Sequence, residues 1–142
     1  MGLLEKIIKK KTPVRNKETG TPIERYWKSF NHAIDGIIYC IKYEHNMIVI
    51  LVATILVVLF GLEFKLSTPE WLFIIFICGA IAACEFINSS VEAIVDLITK
   101  DYNELAKIAK DTASSASLIL CTTALIGGII IFIPRIIELI GG

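Results

Sequence analysis

Three long apolar runs constrain this chain more than any other feature. Met47 to Leu62, Trp71 to about Ile98, and Ala113 to Ile133 each come near the ~20 residues with which a helix crosses ~30 Å of hydrocarbon. The first run is short, and the second becomes polar partway along. A soluble helical bundle would need an apolar stripe and a polar face on each helix. ILVATILVVLF and LILCTTALIGGIIIFI carry no charged face. With 142 residues, 55% hydrophobic content and a mean hydropathy of +0.70, the expectation is a single all-α integral membrane domain.

Ahead of these runs the chain changes character. Leu3, Leu4, Ile7 and Ile8 form a cluster too short and too interrupted by charge for a cleaved secretory signal, so Met1 is the expected mature start. Myristoylation is excluded because MGLLEK has Lys6 where the motif wants Ser or Thr. The helical spacing of that cluster among Lys6, Lys9, Lys10 and Lys11 suits a short helix on an anionic inner leaflet. KKTPVRNKETGTPIE then reads as a linker, so residues 1–22 are a basic extension and residues 23–142 the membrane domain.

Within that domain, IERYWKSFNHAIDGIIYCIKYE places Trp27, Phe30, Ile34, Ile37, Ile38 and Ile41 on one face. This predicts an amphipathic surface helix over 23–45, flat on the cytoplasmic side of the bilayer. A turn near Glu44 to Asn46 leads to spans at about 47–64, 70–99 and 112–137. Pro69 is placed to open the second span and Asp111 to cap the third. The small residues Ala113 to Ser117 permit close helix contact, and Gly127 and Gly128 permit the same or a bend.

Formal net charge is zero, but twelve of the 14 Lys and Arg residues precede the first span or lie between the second and third. Only Lys65 and Arg135 fall elsewhere. The positive-inside rule then puts the N-terminus and the 97–112 loop in the cytoplasm and the C-terminus outside. No nucleic acid partner is expected. Cys40, Cys78, Cys84 and Cys121 are far apart, with neither zinc-finger nor CxxC spacing. They read as small membrane-embedded hydrophobes rather than a disulfide frame or a metal site.

At the polar end of the second run stands EFINSSVEAIVD, residues 85–96. On a helix, Asn88, Glu92 and Asp96 lie about −60°, −20° and +20° from Glu85, on one stripe ~16 Å long. A charge in hydrocarbon costs at least ~2.5 kcal/mol, so three acids on one stripe should face protein, water or cations. Their oxygen ligands suit Mg²⁺, which takes one or two carboxylates together with phosphate oxygens. That points to a nucleotide, with Lys110, Arg25 and Lys28 as basic residues for its phosphates. No GxxxxGK[ST] loop is present, so an ATP site here is not of the Walker type.

Glu85, Asn88, Ser89, Ser90, Val91, Glu92, Val95 and Asp96 match E-x-[aliphatic]-N-[ST]-[SA]-[aliphatic]-E-x-x-V-D. This pattern resembles the signature of the small prokaryotic diacylglycerol kinase family. LAKIAKD, Leu105 to Asp111, and GGIIIFIP resemble its undecaprenol kinase branch from Gram-positive bacteria, over about Arg25 to Pro134. The resemblance implies a homotrimer in a bacterial cytoplasmic membrane, each chain with a surface helix and three spans. It implies transfer of the ATP γ-phosphate to a lipid hydroxyl, undecaprenol before diacylglycerol. It also implies Glu85 as general base, supported by Asn88, and Glu44 and Glu92 as ligands of the divalent metal. Asp96, Lys110 and Asp111 would contact nucleotide and phosphate, with Arg25, Lys28 and His32 at the border of the nucleotide. His45, Ile48 and Asn103 depart from that branch's usual residues, outside the motif.

Two alternatives of other classes stay open on residues alone. A small cation or proton transporter would also carry intramembrane acids, though spread over several spans. In a non-catalytic membrane adaptor the stripe would be incidental.

Overall fold

Residues 20–141 are described in the computed structural model; the expected basic helix near Leu3 to Ile8 lies outside them. Four helices account for nearly all of these residues: α1 Pro22–Tyr43, α2 His45–Glu63, α3 Thr68–Ile98 and α4 Glu104–Gly141. The described residues divide into two compact units, one ending at Asp35 and one beginning at Gly36.

Helix α1 starts at a reciprocal cap. The Thr21 amide donates to Glu24 Oε2 at 3.0 Å and the Glu24 amide donates to Thr21 Oγ1 at 3.3 Å, while Pro22 occupies the first helical position, where no amide hydrogen is needed. The helix ends two residues earlier than the sequence suggests. Only Glu44 separates it from α2, in extended conformation at φ −102° and ψ 111°.

Helices α2, α3 and α4 are each long and apolar enough to cross a membrane, with 19, 31 and 38 residues. The α2–α3 connection is a tight stop. The Leu66 amide donates to the Gly61 carbonyl at 3.0 Å and the Lys65 amide to the Leu62 carbonyl at 3.2 Å, with Lys65 at a left-handed φ of 51°. This is the Schellman pattern, with Lys at the position usually given to glycine. Leu66 then buries itself, 7% exposed, with Ile74 and Ile131 at the centre of a small apolar core. Ser67 starts α3 by donating both its amide and its hydroxyl to Glu70 Oε2, at 2.7 and 2.6 Å, and Pro69 stands in the first turn as expected.

Helix α4 packs antiparallel on α3, pinned at both ends. Lys110 Nζ lies 2.6 Å from Asp96 Oδ1 at one end, and Arg135 Nη2 lies 2.8 Å from Glu70 Oε2 at the other. Pro134 does not break α4. Beside it, the Arg135 guanidinium also donates to the Ile131 carbonyl, at 2.6 Å. About one turn from the Glu70 end, a Cβ at Gly127 would collide with the Phe73 ring, so glycine is what lets the helices approach there.

The start of α4 also differs from the sequence expectation. Asp111 does not cap α4, because the helix already begins at Glu104. Asn103 is the cap, its Oδ1 accepting from the Leu105 and Ala106 amides at 2.9 and 3.2 Å. The connection after α3 is therefore short, and Asp111 stands two turns inside the helix, 2.8 Å from Lys107.

Among the described residues α2 and α4 each pack closely on α3, while their own backbones stay apart and meet chiefly through side chains such as Phe64, just after α2, and Phe132. An apolar gap of about 690 Å³ lies between the two helices, lined by Val49, Phe60, Ile77, Ile81, Leu125 and Phe132 among others. Two stability outcomes are expected from thermal melting in detergent. Gly127→Val should lower the melting temperature, the collision with Phe73 costing about 1–3 kcal/mol. Lys65→Gly should raise it by relieving the left-handed backbone, worth about 1 kcal/mol.

Candidate active site

The stripe on α3 is graded from buried to exposed. Glu85 and Asn88 are 3% and 5% exposed, Glu92 is half-buried and Asp96 is exposed. The helix sets the four residues in line, because they share a face. The packing of α4 then covers the end near Glu85 and leaves the Asp96 end open.

Each member has its own surroundings. Ser117 on α4 donates its hydroxyl to Glu85 Oε2 at 3.1 Å. Asn88 Nδ2 donates to Glu92 Oε1 at 3.1 Å. Asn88 Oδ1 and the Ser89 hydroxyl are buried with no hydrogen-bond partner. A buried acceptor without a donor is costly, about 1–3 kcal/mol, and marks a place where a ligand group could complete the shell.

Beyond Asp96 the end of α3 and the start of α4 enclose a polar cleft of about 440 Å³. Its lining includes Asp96, Lys100, Tyr102, Lys107, Lys110 and Asp111. Thus Asp96, Lys110 and Asp111 are brought together at one end of the stripe. Lys110 and Lys107 are held there by carboxylates rather than free in solvent.

Glu44 lies at the N-terminus of α2, half-buried, with no capping hydrogen bond from its side chain. It belongs to the same neighbourhood as Glu85 through Cys40. The Cys40 thiol, 7% exposed at the last turns of α1, is pushed above its ordinary pKa chiefly by burial. The carboxylates of Glu44 and Glu85 raise it further, against an opposing effect of the Ser89 hydroxyl beside it. Cys40 is therefore a neutral thiol at physiological pH. All four cysteines are free.

Arg25, Lys28 and His32 lie in the unit that ends at Asp35 and are exposed along α1. His32 Nδ1 stands 4.0 Å from Asp35.

The sequence pattern missed three partnerships: Ser117 with Glu85, Lys110 paired to Asp96, and Glu70 with Arg135. The first two had a trace in α4, where Lys110, Ser114, Ser117 and Cys121 recur at helical spacing. Which α3 residue each would meet depends on the register of two helices, which spacing within one helix does not supply.

Among the described residues no three His, Cys, Asp or Glu side chains converge to hold a metal by themselves. The donors present are carboxylate and amide oxygens, including the unpartnered Asn88 Oδ1. Such a set fits a hard cation that completes its shell with phosphate oxygens and water.

A buried carboxylate joined by one helical stripe to a cleft with lysines suits phosphoryl transfer to a group inside the bilayer. Residues 31–132 match the family described as prokaryotic diacylglycerol kinase. The chain belongs to that family. The undecaprenol kinase of Bacillus subtilis (strain 168) is 34% identical over 121 residues, 85% of this chain and 98% of that protein. The diacylglycerol kinase of Helicobacter pylori (strain J99) is 48% identical over 50 residues, 35% of this chain and 39% of that protein. The diacylglycerol kinase of Synechocystis sp. is 41% identical over 56 residues, 39% of this chain and 32% of that protein. Family membership makes the chain a membrane lipid kinase that uses ATP, and it displaces the transporter and adaptor alternatives.

Asn88→Asp tests the local geometry. It replaces the donor to Glu92 by a second carboxylate in a buried position, so turnover should fall at least about tenfold and the melting temperature should drop. Steady-state kinetics and thermal melting of the same preparation read both effects.

Proposed function

We propose that the chain phosphorylates undecaprenol to undecaprenyl phosphate, with ATP as donor. The observation that carries this reading is the gradient along α3: Glu85 buried, Glu92 half-buried and Asp96 open to a cleft containing Lys110. A lipid alcohol needs a proton acceptor it can reach without leaving the bilayer, whereas nucleotide phosphates need cations and access to water. One helix meets both needs within ~16 Å. Undecaprenol is preferred because the undecaprenol kinase matches over 85% of this chain, and the diacylglycerol kinases over 35–39%.

In this mechanism Glu85 accepts the proton of the lipid hydroxyl as the oxygen attacks the γ-phosphorus, while the bond from that phosphorus to the bridging oxygen breaks and ADP leaves with the electron pair. A primary alcohol loses its proton late, so reach matters more than strong basicity. Asn88 holds Glu92 through its amide. Lys110, oriented by Asp96 at 2.6 Å, binds the phosphates near the transferred group, and Asp111, Arg25, Lys28 and His32 contribute nucleotide contacts. Glu44 and Glu92 would hold Mg²⁺, which when bound supplies neutralisation of phosphate charge.

The same reading lays α1 flat on the cytoplasmic surface of a bacterial cell membrane, with the N-terminus inside and the C-terminus outside. The assembly is a homotrimer. Its support is the apolar gap between α2 and α4, which a single chain leaves unfilled.

The test is transfer of labelled γ-phosphate from MgATP by the purified full-length chain in mixed micelles, with undecaprenol and diacylglycerol offered separately and together. Product on undecaprenol is expected. Preference for diacylglycerol would move the enzyme to glycerolipid phosphorylation, and transfer to neither by folded protein would overturn the reading. Glu85→Gln should lose at least about 100-fold in turnover with ATP binding retained; equal loss of both would make Glu85 a nucleotide-binding or structural residue. Glu92→Gln should weaken the Mg²⁺ response and the rate together.

A further inference from the structure

Helix α4 carries several hydroxyls in its apolar half, and most are satisfied on their own helix. Ser115 donates to the Asp111 carbonyl at 2.7 Å, Thr122 to Leu118 at 2.8 Å and Thr123 to Ile119 at 2.9 Å. This is the ordinary fate of a hydroxyl in an apolar helix, which returns its proton one turn back. Ser117 does otherwise. Its hydroxyl reaches across to α3, 3.1 Å from Glu85 Oε2 and 3.5 Å from Cys84 Sγ. A hydroxyl has one proton to give, and a carboxylate oxygen is a far better acceptor than sulfur, so the proton goes to Glu85.

Glu85 is 3% exposed, and among the described residues Ser117 is the hydrogen-bond donor to its carboxylate. A buried carboxylate without a donor is strongly disfavoured. A glutamate also has several rotatable bonds, and a group that must meet a substrate hydroxyl within hydrogen-bond reach gains from having them fixed. With Oε2 engaged by Ser117, Oε1 is the oxygen left to meet the acceptor.

We infer that Ser117 is the positioning residue of Glu85: its hydroxyl holds one carboxylate oxygen so that the other is presented to the lipid alcohol. The inference rests on the reading of Glu85 as the base. Ser117 touches neither nucleotide nor lipid in this scheme and acts only through the glutamate, so its loss should be felt in the chemical step and not in nucleotide binding.

The experiment compares wild type, Ser117→Ala, Ser117→Thr and Glu85→Gln, each full-length in mixed micelles, by kcat, by KM for MgATP and by thermal melting. Alanine is well tolerated in a helix, so Ser117→Ala should fold. It should lower kcat about tenfold, with KM for MgATP within about twofold of wild type, and the carboxylate left without its donor should lower the melting temperature by only a few degrees. Ser117→Thr keeps the hydroxyl and should hold kcat within about threefold. A wild-type kcat in Ser117→Ala alongside an inactive Glu85→Gln would overturn the inference and leave the base in place. A fall in kcat that comes with a matching rise in KM for MgATP, and that threonine does not rescue, would overturn it in favour of a packing role. Wild-type turnover in Glu85→Gln would overturn the base and the positioning residue together.

Discussion

The antiparallel register of α3 and α4 is the constraint on which the rest depends. It is set by unlike contacts at three heights: Asp96 with Lys110, Phe73 over the bare backbone of Gly127, and Glu70 with Arg135. Hydrocarbon supplies little drive for one apolar helix to prefer another over lipid, so close approach and polar pairs decide which faces meet. Sliding α4 by one turn would part both ion pairs at once and put a side chain where Phe73 now finds glycine. The same register brings Ser117 to Glu85. The contact made by Glu85 is therefore a by-product of how the two helices are locked.

Along α3 the surroundings change faster than the residue types. Glu85 and Asp96 are both carboxylates on one stripe, yet one is enclosed by protein and the other faces a polar cleft. Enclosure suits a group that must deal with a lipid hydroxyl, and openness suits groups that handle a charged nucleotide. In the proposed mechanism burial, rather than residue identity, divides the tasks.

Much of this was legible from the residues. The spans follow from length and apolar content, and Pro69 marks the start of α3 because a residue without an amide hydrogen is tolerated only in a helix's first turn. The face shared by Glu85, Asn88, Glu92 and Asp96 follows from helical period alone. Asp111 was misplaced as a cap because Asp and Asn are equally good caps, and Asn103 lies earlier, where the chain leaves the α3–α4 connection. In the sequence Ser117 stands among small residues and Arg135 is one of two basic residues outside the basic regions. Their partners lie 32 and 65 positions away, and nothing within either helix names them.

The two ion pairs that lock α3 to α4 also measure distance. From Glu70 to Asp96 a helix rises about 39 Å, somewhat more than the ~30 Å hydrocarbon layer it has to cross. Each pair is thus held near the headgroups, and their spacing is rigid because both belong to the same two helices. In a thicker or thinner bilayer the locked pair answers by tilting as a unit, or the lipid deforms around it. In the proposed mechanism either response changes the depth at which Glu85 meets an acceptor headgroup. On that reading the acyl-chain length of the host membrane sets how well base and acceptor hydroxyl match in depth.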